Sequence, residues 1–470
     1  KLESILNAED EVENEVGNSE MKDSKITHIK SATFKFDCTL VTINAYYKGT
    51  LYFIRDMISF ESYETTDEFG QKKESRPKFV DVRFDDALYI IQRRFLHQQI
   101  GAEVFTNKRR GFFFIFSSRA LREKFILKMT LSGVRHIKKV DEFTNAWKSG
   151  RLTNYEYIFW LNMLSGRSFN DIAQYPVFPW ILTDYTSAKI DLNDPSVYRD
   201  LSKTIGALNN ERLANLMSIY NDMKSTSSED LSHPISLFRL HYSTPGYVIY
   251  FLIRNEPFTS LHIELQGGKF DHSMRLFSSI ESSFASVVSS SPDYRELIPQ
   301  FFSCNEFLIN SDRFDLGQGI DDVVLPKWAK NASHFVALNR VALESSLVSM
   351  TLNRWIDLVF GCRQQDLKSN NLFHPYSDPF YFDVAPKEKK EEIMLHAANF
   401  GVNPMKLFET FHPKRTFIPR MQNFEEPKMM NFVLLSKKVT LGALLLWTRI
   451  SQQGQIEPQN SPSNDGANLE

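Results

Sequence analysis

Residues 174–182, Gln-Tyr-Pro-Val-Phe-Pro-Trp-Ile-Leu, constrain this chain more than any other stretch. Their side chains are apolar and aromatic, which asks for burial. Pro176 and Pro179 exclude the two usual ways of burying a backbone. Each lacks a donor N–H and drives the residue before it toward an extended conformation, which excludes both a helix and a central strand. A greasy segment must therefore cross the interior as irregular backbone, with peptide groups that need partners from elsewhere. Arg167, Asn170, Asp171, Gln174 and Asp184 are the polar side chains close enough in sequence to supply them. Trp180 and Tyr175 are expected in the core here, with Arg167 and Asp171 bracing the backbone.

The rest of the chain divides around this segment. At 470 residues it is long for one core, so two domains or more are expected. Residues 1–25 carry eight acidic residues and three lysines without an apolar period, and read as a disordered acidic arm. From Thr33 the apolar period is two: Phe34, Phe36, Cys38 and Leu40, then Leu51 and Phe53, then Val80, Val82 and Phe84. Residues 107–111 read as a hairpin loop between strands around Val104 and Phe112–Phe116, and Glu61 to Lys78 as a polar insertion forming a mobile loop. Ser118 caps a helix with Leu121, Phe125 and Met129 on its apolar face. Short antiparallel strands closed by one C-terminal helix describe a pleckstrin-homology-like (PH-like) β-barrel over 26–132.

A short basic connector, Leu131 to Lys139, leads into a helical period. Thr153 and Glu156 make a capping box for a helix through Leu164 that is apolar almost all round and ends at Gly166. Asp194-Pro195, Thr244-Pro245 and Ser291-Pro292 each place a cap before proline at a first helical position. Phe277, Ile280, Phe284 and Val287 form one stripe; Leu352, Trp355, Ile356 and Val359 form another, stopped by Gly361. Ser225 to Ser232 reads as a polar loop and 451–470 as a disordered tail.

Several chemistries fail on spacing. Tyr242-Ser243-Thr244-Pro245-Gly246 lacks the first glycine of a nucleophile elbow, so Ser243 is read as a helix cap. Gly317 and Gly319 lack the rest of a phosphate-binding loop. Histidines 241, 262 and 272 have no metal-ligand spacing, and Asp191, Asn193 and Asp194 lack the glycine and glutamate of a calcium loop, leaving them as caps for the helix at Pro195. Cys38, Cys304 and Cys362 are too scattered for a disulfide framework, which fits a reducing cytosol. A formal charge of −2 argues against a nucleic-acid partner. No catalytic residue, metal or cofactor is expected. No run reaches the ~18 apolar residues of a membrane span. Asn331-Ala332-Ser333 matches a glycosylation sequon and is expected to be a chance match, as no secretory signal opens the sequence; the chain, opening on Lys1, is expected to be a piece of a longer protein.

The proline-rich stretch carries a resemblance. GRSFNDIAQYPVFPW (166–180), then DLNDP and RDLSK, is similar to the signature of the BEACH domain found in neurobeachin and its relatives. HYSTPGYV, EPFTSLHIELQGGKFDH, ELIPQFF, DVVLPKWA, WIDLVFG, NLFHP and FGVNPMKLF follow in the family's order, and IQRRFL, AEVF and FFFIF resemble the divergent PH-like domain that precedes BEACH domains. DVVLPKWA and the helix from Phe335 to Arg340 look neurobeachin-like. The chain departs from the pattern at Phe360-Gly361-Cys362-Arg363-Gln364-Gln365, which puts any partner contact there in doubt.

The resemblance implies an α+β multidomain protein: a PH-like β-barrel with a C-terminal helix (26–132), a linker (133–140), a mainly α-helical BEACH domain with irregular buried core segments (141–420) and a C-terminal extension (421–470). It also implies a non-enzymatic scaffold in membrane trafficking, cytoplasmic and peripheral on endomembranes, with protein partners and a WD-repeat domain further along the full-length chain. The PH-like domain is expected to dock on BEACH through Arg93 and Glu103, facing Asn170, and partners to read the groove between them; a plain cross-strand pair on the barrel surface is the alternative. The PH-like region holds 18 Lys/Arg and 12 Asp/Glu, which invites an adaptor on anionic membranes. Lys35 and Lys48 fit a phosphoinositide site, but Thr50 stands where its arginine belongs, so only weak lipid association is expected.

Overall fold

The computed structural model describes residues 32–416, except 68–70, 74–75, 109, 227–233 and 318. The arm expected over 1–25 and the extension over 421–470 lie outside the described residues, as do 417–420.

Eight strands form one sheet: β1 Phe34–Val41, β2 Tyr46–Ile54, β3 Met57–Thr66, β4 Phe79–Arg83, β5 Ala87–Phe95, β6 Gln98–Thr106, β7 Gly111–Phe116 and β8 Arg135–His136. Their hydrogen-bonded order is β4-β3-β2-β1-β7-β6-β5-β8. Among the described residues no ladder joins β4 to β5 or β8, so the strands curl without closing as a hydrogen-bonded barrel. Helix α1, Arg119–Leu131, fills the curl. Phe125 packs against Phe36, Phe53, Phe114 and Phe116 with ring centroids 5.0 to 6.1 Å away. Ser118 Oγ accepts from Leu121 N and starts this helix, as the sequence predicts.

Two segments differ from expectation. Residues 61–66 belong to β3, not to a loop, because the ladder with β2 runs on to Tyr46↔Thr66 and buries Ser62, Thr65 and Thr66. The connector contributes β8, which pairs in parallel with β5 through Tyr89↔Arg135 and Ile90↔His136.

The helical region comprises α2 Asp141–Lys148, α3 Asn154–Leu164, α4 Asn210–Thr226, α5 Pro245–Leu252, α6 Phe258–Leu265, α7 Ile280–Ser289, α8 Ala332–Leu343, α9 Ser346–Val359, α10 Pro379–Val384 and α11 Lys390–Phe400. Helix α3 lies at its centre, buried on every face, and the Thr153/Glu156 capping box is present. Helix α4 continues two residues into the expected loop, where Ser225 and Thr226 hydroxyls bond back to Asp222 O, each at 2.9 Å. Asp194 caps only a single 3-10 turn, Pro195–Val197. Ser291-Pro292 starts no helix. The extended backbone after it instead presents Glu296 to the Trp180 amide and to Arg199, contacts that a helix there would forfeit. Asn331 of the sequon caps α8 by accepting from His334 N at 2.9 Å.

Candidate functional site

Gly166 ends α3 with φ at +95°, a left-handed conformation that glycine adopts without a Cβ clash. After one 3-10 turn, Ile172–Gln174, residues 175–182 run as irregular backbone, every one of them buried. Phe178 exchanges backbone hydrogen bonds with Leu297, both at 2.8 Å. Asn162 of α3 accepts from Val177 N at 2.8 Å and donates to Val177 O at 2.9 Å. Trp180 has no exposed surface; its Nε1 donates to Arg295 O at 2.8 Å, and its backbone N donates to Glu296 Oε2 at 3.1 Å.

Of the five polar residues expected to serve this backbone, two do, Arg167 and Asp171, while the Gln174 amide turns to the Asp171 carboxylate and to β5. Arg167 donates from Nε to Tyr175 O at 2.8 Å, from Nη1 to Val402 O, and from Nη2 to Ser243 Oγ at 2.8 Å. Asp171 accepts from Ala173 N at 2.9 Å and from Gln174 Nε2 at 2.8 Å. Gln174 Nε2 also donates to Arg94 O on β5 at 2.8 Å. Asp184 serves only its own exposed turn, accepting from Thr186 N and Ser187 N. Asn170 turns toward the sheet.

The partners missed in the sequence are Asn162 and Glu296. Asn162 sits inside an apolar helix, and Glu296 is 116 residues from Trp180. Ser243 is also reassigned: Thr244 Oγ1 caps α5, while Ser243 Oγ accepts from Arg167. His241 Nδ1 accepts from the backbone N of Ser243, so these two side chains form no nucleophile–base pair.

Burial sets the electrostatics. It pushes the Arg167 guanidinium down to about 10, so the side chain stays cationic at neutral pH with uncharged acceptors around it. Burial likewise raises the Asp171 carboxyl, opposed by its two hydrogen bonds. Tyr175 OH accepts from Gln300 Nε2 at 2.6 Å, and burial raises its phenol.

The structure brings Arg93, Glu103 and Asn170 together. Arg93 on β5 and Glu103 on β6 are each 1% exposed, which overturns the reading of a surface cross-strand pair. Glu103 Oε2 accepts from Arg93 Nε at 2.7 Å; Oε1 accepts from Ser168 Oγ at 2.9 Å and from Asn170 Nδ2 at 2.8 Å. Arg93 Nη1 donates to Met163 O of α3, and Asn170 Nδ2 reaches Gly111 O at 3.2 Å. Gly101, opposite Arg93 in the ladder, leaves the room: a Cβ there would lie 2.6 Å from the Phe113 ring and 2.9 Å from Arg93 Cβ. Ser168, a third donor to this carboxylate group, was not singled out in the sequence.

A second clasp was not legible at all. The β5–β6 turn is Leu96-His97, with φ of 44° and 68°, where hairpins ordinarily use Asn-Gly. Contacts with the helical region hold it. His97 Nε2 lies 2.8 Å from Tyr376 O, and its ring stacks on Phe382 at 5.4 Å. Arg94 grips Asp383 with two bonds of 2.9 and 2.6 Å. Burial pushes the His97 imidazole down to about 4.

Two of the three residues weighed for lipid binding, Lys48 and Thr50, are otherwise engaged. Lys48 Nζ pairs with Glu64 at 2.6 Å, and Thr50 Oγ1 donates to Asp37 Oδ1 at 3.0 Å. The three cysteines are free thiols. Among the described residues, no cluster of three or more His, Cys, Asp or Glu could hold a metal ion, and no helix is long and apolar enough to cross a membrane.

A PH-like sheet, followed by a helical region built round an irregular buried segment, is the class that this fold defines. Residues 145–415 match the Beige/BEACH domain, and residues 38–130 match the PH domain associated with Beige/BEACH. The chain belongs to the BEACH-domain family. It is 40% identical over 314 residues to BEACH domain-containing protein B of Arabidopsis thaliana, covering 64% of this chain and 12% of that protein. It is 35% identical over 427 residues to a putative neurobeachin homolog of Caenorhabditis elegans, covering 83% of this chain and 17% of the relative. To BEACH domain-containing protein lvsD of Dictyostelium discoideum it is 42% identical over 290 residues, covering 59% and 10%. The chain thus spans less than a fifth of the length of these relatives.

Proposed function

We propose that this chain is a non-enzymatic scaffold in vesicle and membrane trafficking, and that it binds protein partners through one rigid unit made of the PH-like sheet and the helical region. Its place is the cytoplasm, peripheral on endomembranes, with a WD-repeat domain following in the full-length protein. One observation carries the reading: the Glu103 carboxylate accepts at once from Arg93 of the sheet and from Ser168 and Asn170 of the signature segment. A carboxylate and a guanidinium buried together persist only when both stay paired, so separation of the two parts is costly. A composite surface held this way loses little freedom on binding. Asn170 is only partly buried and lies at the rim, beside Gly111 O. A partner reading the groove between sheet and helices meets both parts there.

The test is capture from cell extract on the immobilised full chain, alongside Glu103→Arg and Asn170→Lys variants whose folding is checked by circular dichroism. Proteins of vesicle formation or tethering, retained by the native chain and lost by folded variants, are the expected result. The same proteins on all three baits would sink the composite-surface reading.

A further inference from the structure

A groove of about 710 Å³ opens at the end of the sheet marked by the β2–β3 and β4–β5 turns and the last turn of α1. The β4–β5 turn lies at the opposite end of β5 from the His97 clasp. Its walls are apolar: Phe34, Phe53, Ile54, Phe84 and Leu131. The size falls within the range of ligand-binding clefts, roughly 300–1,000 Å³. The apolar surface continues outward along α1, where Leu127 is 58% and Leu131 72% exposed. The rim is cationic. Arg55 and Lys128 line it and have no ion-pair partner among the described residues; Lys128 Nζ instead sits 3.5 Å over the Phe34 ring. The one carboxylate in the lining, Asp56, is already paired with Arg83 at 3.0 Å. The site therefore suits a segment that offers bulky apolar side chains together with uncompensated negative charge.

We propose that the occupant is this chain's own acidic N-terminal segment, residues 1–31, docked in cis. Three observations converge on it. Thr33 and Phe34 line the groove, and Thr33 N is pinned to Phe53 O at 3.0 Å, so the preceding chain leaves directly from the rim. Residues 1–25 carry eight carboxylates and three lysines, the charge that Arg55 and Lys128 lack. Ile26 and Ile29 supply apolar side chains within a few residues of the opening. At up to ~3.3–3.6 Å per residue the segment reaches the groove with slack. Tethering beside the site gives it a high effective concentration, so modest contacts suffice. The contact lies away from the Glu103 network and adds a second interaction surface, one that an acidic, apolar segment of another protein would have to compete for.

Hydrogen exchange on the full chain tests this. In the Arg55→Glu/Lys128→Glu protein, amides of 53–56 and 127–132 should exchange roughly fivefold faster, the loss of two exposed ion pairs. Exchange in β5 and β6 should stay unchanged, which reports an intact fold. Reversing Glu9, Asp10, Glu11 and Glu13 to lysine in the same protein should restore the slow exchange, and peptide 1–31 added in excess should compete with the native arm. Unchanged exchange in the groove variant overturns the proposal. Faster exchange that the reversed arm fails to restore overturns it too.

Discussion

Glu103 on β6 and Asn170 in the signature segment are 67 residues apart in sequence, yet the carboxylate Oε1 accepts from the Asn170 amide at 2.8 Å. The same oxygen takes the Ser168 hydroxyl, and the other takes Arg93. Three donors from two parts of the chain thus share one buried carboxylate. Such a network adds little stability relative to apolar packing, but it is expensive to break in halves.

Glu103→Ala is therefore expected to destabilise by about 3–5 kcal/mol, because the Arg93 guanidinium stays buried without its counter-charge. Asn170→Ala removes a hydrogen bond to a charged group and should cost ~1.5–3 kcal/mol. Combined, the two should fall short of their sum by more than ~0.5 kcal/mol, since the second loses a contact already gone. Urea denaturation of the four proteins measures this, and strict additivity would mean that the residues act separately.

Trp180→Ala should cost about 3–5 kcal/mol through lost packing. Trp180→Phe keeps much of that packing but orphans the Arg295 carbonyl, for ~1–3 kcal/mol. A Phe variant as stable as the native chain would show that the indole hydrogen bond contributes nothing.

Stability should fall as pH drops from about 6.5 to about 4. Burial lowers His97, His396 and His412 to about 4 in the folded chain. In that window the unfolded chain binds protons that the folded chain refuses, so unfolding is favoured, by at most roughly 3 kcal/mol for a group as buried as His97. His97→Asn suits the left-handed turn and removes one titrating ring. Its urea midpoint should depend less steeply on pH over this interval than that of the native protein; parallel curves would remove His97 from the account.

Phosphoinositide binding should be weak and without head-group preference, because Lys48 is paired with Glu64 and Thr50 is bonded to Asp37. Liposome flotation should show a salt-sensitive association that depends on total negative charge. Submicromolar, stereospecific recognition of one phosphoinositide would favour a membrane adaptor instead.

Local chemistry made much of this protein legible. Period-two alternation marked β1, β2 and β4; Ser118, Thr153/Glu156 and Thr244-Pro245 marked helix starts, because a cap satisfies amides within its own first turn. Pro176 and Pro179 specified irregular buried backbone, and the need to pair its peptide groups drew attention to Arg167, Asp171 and Gln174. Arg93, Glu103 and Asn170 came from the family resemblance, not from spacing.

What the tertiary structure alone decided are the partners that lie far along the chain. Asn162 looks like an interruption in an apolar helix until Val177 folds against it. Glu296 follows a proline that suggests a helix, yet it serves Trp180, Arg199 and Trp355. Leu96-His97 is a poor turn sequence, made tolerable by Tyr376 and Phe382 some 280 residues later. The reason is physical. A cap or an alternating stripe is a property of neighbours, written in a few adjacent residues. A buried polar group only has to find a partner somewhere in the folded interior, and sequence separation carries no mark of which one it finds.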